Sequence, residues 1–96
     1  MIELRETDEY VRWFNRLKDR EARSRILTRL RRLSLGNPGD VRPVGEVISE
    51  LRIDYGPRYR VYYVQRGVVF VVLLVGGDKR TQTRDIWTAR QLARNL

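Results

Sequence analysis

The sequence predicts an α+β fold, an antiparallel sheet preceded by two helices and followed by one, in the order β-α-α-β-β-β-α. Three observations lead there. Glu50–Lys79 holds three strand-like runs, of which Glu50–Asp54 and Arg58–Gln65 alternate polar with apolar residues and Val68–Val75 is continuously apolar. Tyr55-Gly56-Pro57 and Arg66-Gly67 supply turns short enough for a meander. Before and after this stretch, apolar residues recur at helical spacing.

Taken in order, Ile2–Arg5 reads as a short first strand. Thr7 or Asp8 then caps a helix whose stripe is Tyr10, Trp13, Phe14 and Leu17, with Asp8 and Glu9 where the helix dipole favours negative charge. Asp19 caps a second helix running to Arg32 or Leu33, with Ile26, Leu27, Leu30 and Leu33 on its buried face. Arg20, Arg23, Arg25, Arg29, Arg31 and Arg32 cover the remainder, and Gly36 and Pro38 stop it. Asn37–Glu46 reads as a loop punctuated by glycine and proline. The three strand runs follow, with Val68–Val75 innermost. Gly76-Gly77 turns the chain out of the sheet or lets backbone approach a phosphate, and Thr81–Asp85 opens a last helix with Ile86, Ala89, Leu92, Ala93 and Leu96 on one stripe. Residues 1–96 fit one domain, with no internal repeat.

Composition narrows the chemistry. Cysteine and histidine are both absent, which excludes disulfides, thiolate metal sites, Cys- or His-based triads and the commonest metal ligand. The N-terminus is charged from its third residue and lacks a signal-peptide core, and no apolar run is long enough to span a bilayer as a helix. A cytoplasmic protein without a membrane role is expected. The net charge of +8 is carried almost wholly by arginine, which binds phosphate bidentately and stacks on bases, so the partner expected is a polyanion.

By strand parity Arg52 shares a face with Glu50 and Asp54, and Arg58, Arg60 and Tyr62 share a face of the next strand. A solvated face of that composition suits RNA, whose 2′-OH is its own nucleophile. Cleavage then needs a group to take the 2′-OH proton, cations to hold the phosphorane and a donor to the leaving 5′-oxygen. Arg52, Arg58 and Arg60 can hold that charge. Lys79 can be base or acid on the condition that neighbouring arginines depress its pKa. Tyr62 can stack a base or donate a proton, and Arg80 and Arg84 are further candidate RNA contacts. Glu50 and Asp54 either take the proton or hold arginines in place. The competing reading is a solvated face carrying structural ion pairs. No cofactor or metal is expected, since the carboxylates near the sheet do not repeat at a ligand spacing.

At these residues the chain resembles the RelE/ParE superfamily of bacterial type II toxins, and most resembles its HigB-like branch of addiction-module killer proteins. The motifs are Glu50-Leu51-Arg52-Ile53, then Gly56-Pro57-Arg58-Tyr59-Arg60-Val61-Tyr62-Tyr63, then Leu73–Thr83, Asp85-Ile86 and Ala89 with Leu92-Ala93. The resemblance implies a RelE-like, microbial-ribonuclease-like fold. It implies a metal-independent endoribonuclease, an mRNA interferase that cuts mRNA on the ribosome. Its neutralising partner would be a helix-turn-helix antitoxin, through which alone operator DNA is met. It also implies Arg52, Arg58 and Arg60 as phosphate and transition-state contacts and Lys79 as a proton-transfer or phosphate group. The chain departs from members that place a C-terminal His or Tyr beside the phosphate, because it has no aromatic after Trp87. ParE-side relatives poison DNA gyrase, so a gyrase-directed toxin is the alternative, with a non-catalytic basic RNA-binding module as the third.

Overall fold

A computed structural model describes residues 1–96. The chain runs through β1 (Glu3–Glu6), α1 (Asp8–Arg16), α2 (Arg20–Ser34), β2 (Val41–Pro43), β3 (Ile48–Ile53), β4 (Tyr59–Arg66), β5 (Phe70–Asp78), a 3-10 turn (Lys79–Thr81) and α3 (Gln82–Arg94). The five strands form one mixed sheet in the order β1-β5-β4-β3-β2. All pairs are antiparallel except β1 with β5, which is parallel. The expected α+β fold is therefore present, with three differences in the sheet. The central strand is β4 and not the apolar run Val68–Val75, whose first two residues lie exposed in the turn before β5. β1 makes it mixed rather than antiparallel, and β2 is an extra strand inside the segment read as a loop. Three residues ending in Pro43 are too short to show a period, and proline suits an edge strand because it has no N–H to give.

The helices begin and end where local chemistry dictates. Thr7 Oγ1 accepts from Tyr10 N at 3.1 Å to cap α1. Asp19 Oδ1 accepts from Glu21 N and Ala22 N at 2.9 and 3.2 Å to cap α2. At the far end of α2, Gly36 takes φ 86°. Gly36 N donates to Leu33 O at 3.0 Å and Asn37 N to Arg32 O at 2.9 Å, a Schellman ending that only a glycine adopts cheaply. No helix is long and apolar enough to cross a membrane.

Apolar side chains cover both faces of the sheet. On one, α1 and α2 bring Tyr10, Ile26, Leu30 and Leu33 onto Leu51, Ile53, Val61, Tyr63, Val71 and Leu73. On the other, Ala89 of α3 packs with Ile48, Tyr62, Val64, Val72, Leu74 and Val75. Leu74 and Val75 are consecutive yet on one face because the β4–β5 register slips at Tyr62/Tyr63, a bulge that reverses parity beyond it. Leu27, expected on the buried face of α2, is instead 54% exposed.

The glycine pair has a role that neither sequence reading foresaw. Gly76 and Gly77 do not leave the sheet; both are buried within β5. A Cβ on Gly76 would lie 2.2 Å from the Trp13 ring, and one on Gly77 would lie 1.7 Å from the Asp85 carboxylate. Trp13 of α1 and Asp85 of α3 thus rest directly on the backbone of β5 from opposite faces. Close helix approach, not phosphate approach, requires the two glycines.

Candidate functional site

Where β3 ends, β4 begins and β5 ends, the strand termini leave a cleft of about 340 Å³ lined by Asp40, Arg52, Ile53, Asp54, Arg58, Tyr59, Arg60 and Lys79. All four residues expected from sequence to contact the reacting phosphate line it. Arg52 and Arg60 are register partners across β3 and β4. Arg58 lies in the turn before β4 at φ 65°, with its N–H donating to Tyr55 O at 3.0 Å. Such a conformation costs a non-glycine residue roughly 1–2 kcal/mol. Lys79 is placed by its own N–H, which donates to Pro57 O at 3.3 Å and ties the end of β5 to the same turn.

The cleft face is only partly the solvated surface that alternation suggested. Tyr62 is 0% exposed, Glu50 0% and Arg60 8%. The helix α3 covers this part of the sheet, and its Gln82 reaches Glu50. Tyr62 therefore cannot stack on a base, and its expected role as an RNA contact is corrected. Its hydroxyl donates to Glu50 Oε2 at 3.0 Å, and burial followed by the charge of Glu50 pushes its pKa up, so it holds its proton.

Glu50 sits under the cleft floor. Gln82 Nε2 donates to its Oε2 at 2.8 Å and Arg52 Nε to its Oε1 at 3.0 Å, while Arg60 Nε lies 3.4 Å from Oε2. Burial by itself would raise the Glu50 pKa. The bonds from Gln82, Arg52 and Tyr62 and the charge of Arg60 outweigh it, and the carboxyl is held below its ordinary value. Arg60 Nη1 also donates to Arg58 O at 3.1 Å. By contrast neither Arg58 nor Lys79 enters an ion pair, and both are exposed. The cleft thus has two held cations and two free ones, with Asp40 and Asp54 as its exposed carboxylates.

The remaining expected contacts lie apart from it. Arg80 turns onto Asp78, Nη2 to Oδ2 at 3.1 Å, which holds the Asp78 carboxyl below its usual range. Arg84 lines a separate depression between α1 and α3 with Arg12 and Arg16. The arginines of α2 divide as well. Arg23 lies 4.7 Å from the Phe14 ring centre, and Arg25 pairs with Glu21 at 2.8 Å. Arg29 donates to the carbonyls of Arg52, Pro38 and Asp40, 2.9 Å to Pro38, and so fixes the loop that walls the cleft. Arg20, Arg31 and Arg32 are exposed.

Sequence reasoning missed Asp40, Tyr59, Gln82 and Arg29 as parts of this site. The one available signal was Tyr59, inside the quoted strand motif. Gln82 meets Glu50 across 32 residues, and no spacing announces such a contact.

Comparisons with known proteins give a family and a relative. A family model described as phage-derived protein Gp49-like matches residues 12–94. An uncharacterised protein of Haemophilus influenzae is 44% identical over 95 residues, spanning 99% of this chain and 96% of the relative. No solved structure matches.

Proposed function

The chain belongs to the Gp49-like family of phage-derived proteins, a RelE-like family of toxins from toxin–antitoxin systems, and from that premise we propose that it is an mRNA endonuclease acting on the ribosome. Residues 1–96 act as one toxin domain of the HigB-like kind, neutralised by a helix-turn-helix antitoxin. The observation that carries the reading is the convergence of Arg52, Arg58, Arg60 and Lys79 on one cleft from the ends of three different strands. Four cations around a space of that size match a phosphodiester whose charge grows during cleavage.

The chemistry follows from the residues present. The 2′-oxygen attacks the adjacent phosphorus, its proton passing to a cleft carboxylate, and Asp54 is exposed there. Arg52 and Arg60 hold the non-bridging oxygens of the phosphorane, and Arg58 closes over them from the turn. The P–O5′ bond breaks as Lys79 protonates the leaving oxygen, giving a 2′,3′-cyclic phosphate and a free 5′-hydroxyl. Each step uses a group that is charged or titratable without histidine.

Inducing the protein in cells and mapping new 5′ ends on messages tests this reading. Cuts confined to translated messages, reproduced on purified ribosomes with EDTA and excess polyamine, are the expected result. Gyrase-linked DNA breaks without new RNA ends would transfer the protein to the gyrase-directed class. Neither lesion, with RNA bound intact, would leave a non-catalytic RNA-binding module.

A further inference from the structure

We propose that Glu50 is a positioning residue, whose buried carboxylate fixes the Arg52 and Arg60 guanidiniums at the cleft before any phosphate arrives and itself takes no proton. The kinetic consequence rests on the nuclease reading; the geometry does not.

Arg52 donates through Nε to Glu50 Oε1 at 3.0 Å, whereas Arg60 is held by charge, its Nε 3.4 Å from Oε2 without a hydrogen bond. A guanidinium is planar, so a hold at Nε fixes the direction of its terminal fork. Arg52 has no other side-chain hydrogen bond, and both its terminal nitrogens remain available. Arg60 uses Nη1 on Arg58 O and keeps Nη2. One carboxylate therefore orients the Arg52 fork through a hydrogen bond and anchors the Arg60 guanidinium by charge, with Arg58 O setting the direction of the latter. Tyr62 and Gln82 complete the shell from the facing strand and from α3, so the carboxylate cannot swing. Donors fixed before the reaction need no rearrangement as charge develops, and this is where their catalytic value lies.

The same shell excludes Glu50 from proton transfer. It is fully buried, and each oxygen already accepts from a donor, so a 2′-OH has no approach to it. The task falls to an exposed carboxylate of the cleft instead. A purely structural ion cluster, holding α3 to the sheet, would predict the same contacts but no effect on turnover by folded protein.

Glu50→Gln separates the two, with Gln82→Ala as a second variant that removes one donor and no charge. Each should melt cooperatively and bind a short single-stranded RNA within about two-fold of the parent, since the cleft cations remain. Turnover at saturating ribosomes should fall about 100-fold for Glu50→Gln, the loss typical of one misplaced transition-state donor, and several-fold for Gln82→Ala. Wild-type turnover by both folded variants would overturn the proposal, and if Glu50→Gln does not fold, Gln82→Ala decides. Exchange of arginine Nε–H protons with water, read by NMR, gives an arm independent of cleavage. In the parent, Arg52, whose Nε is bonded to Glu50, should exchange more slowly than Arg58, and it should quicken in Gln82→Ala. If the parent cuts no RNA but shows this order, the nuclease reading falls and the positioning stands. Equal exchange at Arg52 and Arg58 sinks it.

Discussion

Two free cations and two held ones give the cleft residues different vulnerabilities. Arg58 has no partner for its side chain and a left-handed backbone at φ 65°. Arg58→Gly should therefore leave the melting temperature unchanged or higher, because glycine adopts that conformation without steric cost. Toxicity should fall about 100-fold if the guanidinium meets the phosphorane. A fully toxic Arg58→Gly protein would remove Arg58 from the site. Lys79 separates charge from proton transfer. Lys79→Arg keeps the cation but gives up a proton far less readily, so a proton donor to the leaving oxygen predicts lost cleavage with RNA binding retained. Cleavage by Lys79→Arg at the parental rate would make Lys79 a phosphate clamp.

At the scale of elements, the sensitive join is β5 between α1 and α3. Gly77→Ala puts a methyl into the Asp85 carboxylate and Gly76→Ala puts one into Trp13, so a neighbour must shift in either case. Each should cost about 1–3 kcal/mol, the usual range for overpacking a filled site, read as a lower urea midpoint. A midpoint unchanged in both would mean that the helices ride higher than described. Asp85 also carries a pH signature. Burial first, against a bond from Thr81 and the charge of Arg84, raises its pKa above the ordinary 3.8. A raised folded pKa means that its favourable contribution is complete below 3.8 and lost as pH rises through the folded value. Asp85→Asn should then stabilise the protein at neutral pH, with the gain shrinking toward zero below about pH 4. A gain that is constant with pH would show that Asp85 is not ionising at a cost.

The molecule as a whole is a basic body with a net charge of +8, and its cleft is open at the end of the sheet. Partner binding follows from that field. An antitoxin segment that lies over Arg52, Arg58 and Lys79 should be acidic, because opposite charge both steers the encounter and blocks the cleft. Co-expression with the neighbouring gene should restore growth and give a co-purifying complex whose association slows as salt rises. A neighbour that neither rescues nor co-purifies removes the paired-system reading.

Much of this was legible in the linear sequence because it depends on neighbours in the chain. Thr7 and Asp19 announce their helices, Gly36 ends one, and the alternation from Glu50 to Gln65 marks two strands with one apolar face. The same alternation put Arg52 on one face with Glu50 and Arg60 on one face with Tyr62, since strand parity is a local property, whereas the register that sets Arg52 beside Arg60 was decided by the pairing of β3 with β4. Parity could not say what covers the polar face. That depended on α3, which buries Tyr62 and Glu50 and converts a supposed solvated stripe into an ion-pair network. Gly76-Gly77 looked like a turn because the demand for them comes from Trp13 and Asp85, side chains on two distant helices. The role of Arg29 is likewise invisible on its own helix, because the carbonyls it holds belong to Pro38, Asp40 and Arg52. Local propensity thus settled which elements form. The packing of elements far apart in sequence decided which charges are held, which are free, and where the cleft opens, because burial and pairing are properties of the assembled fold.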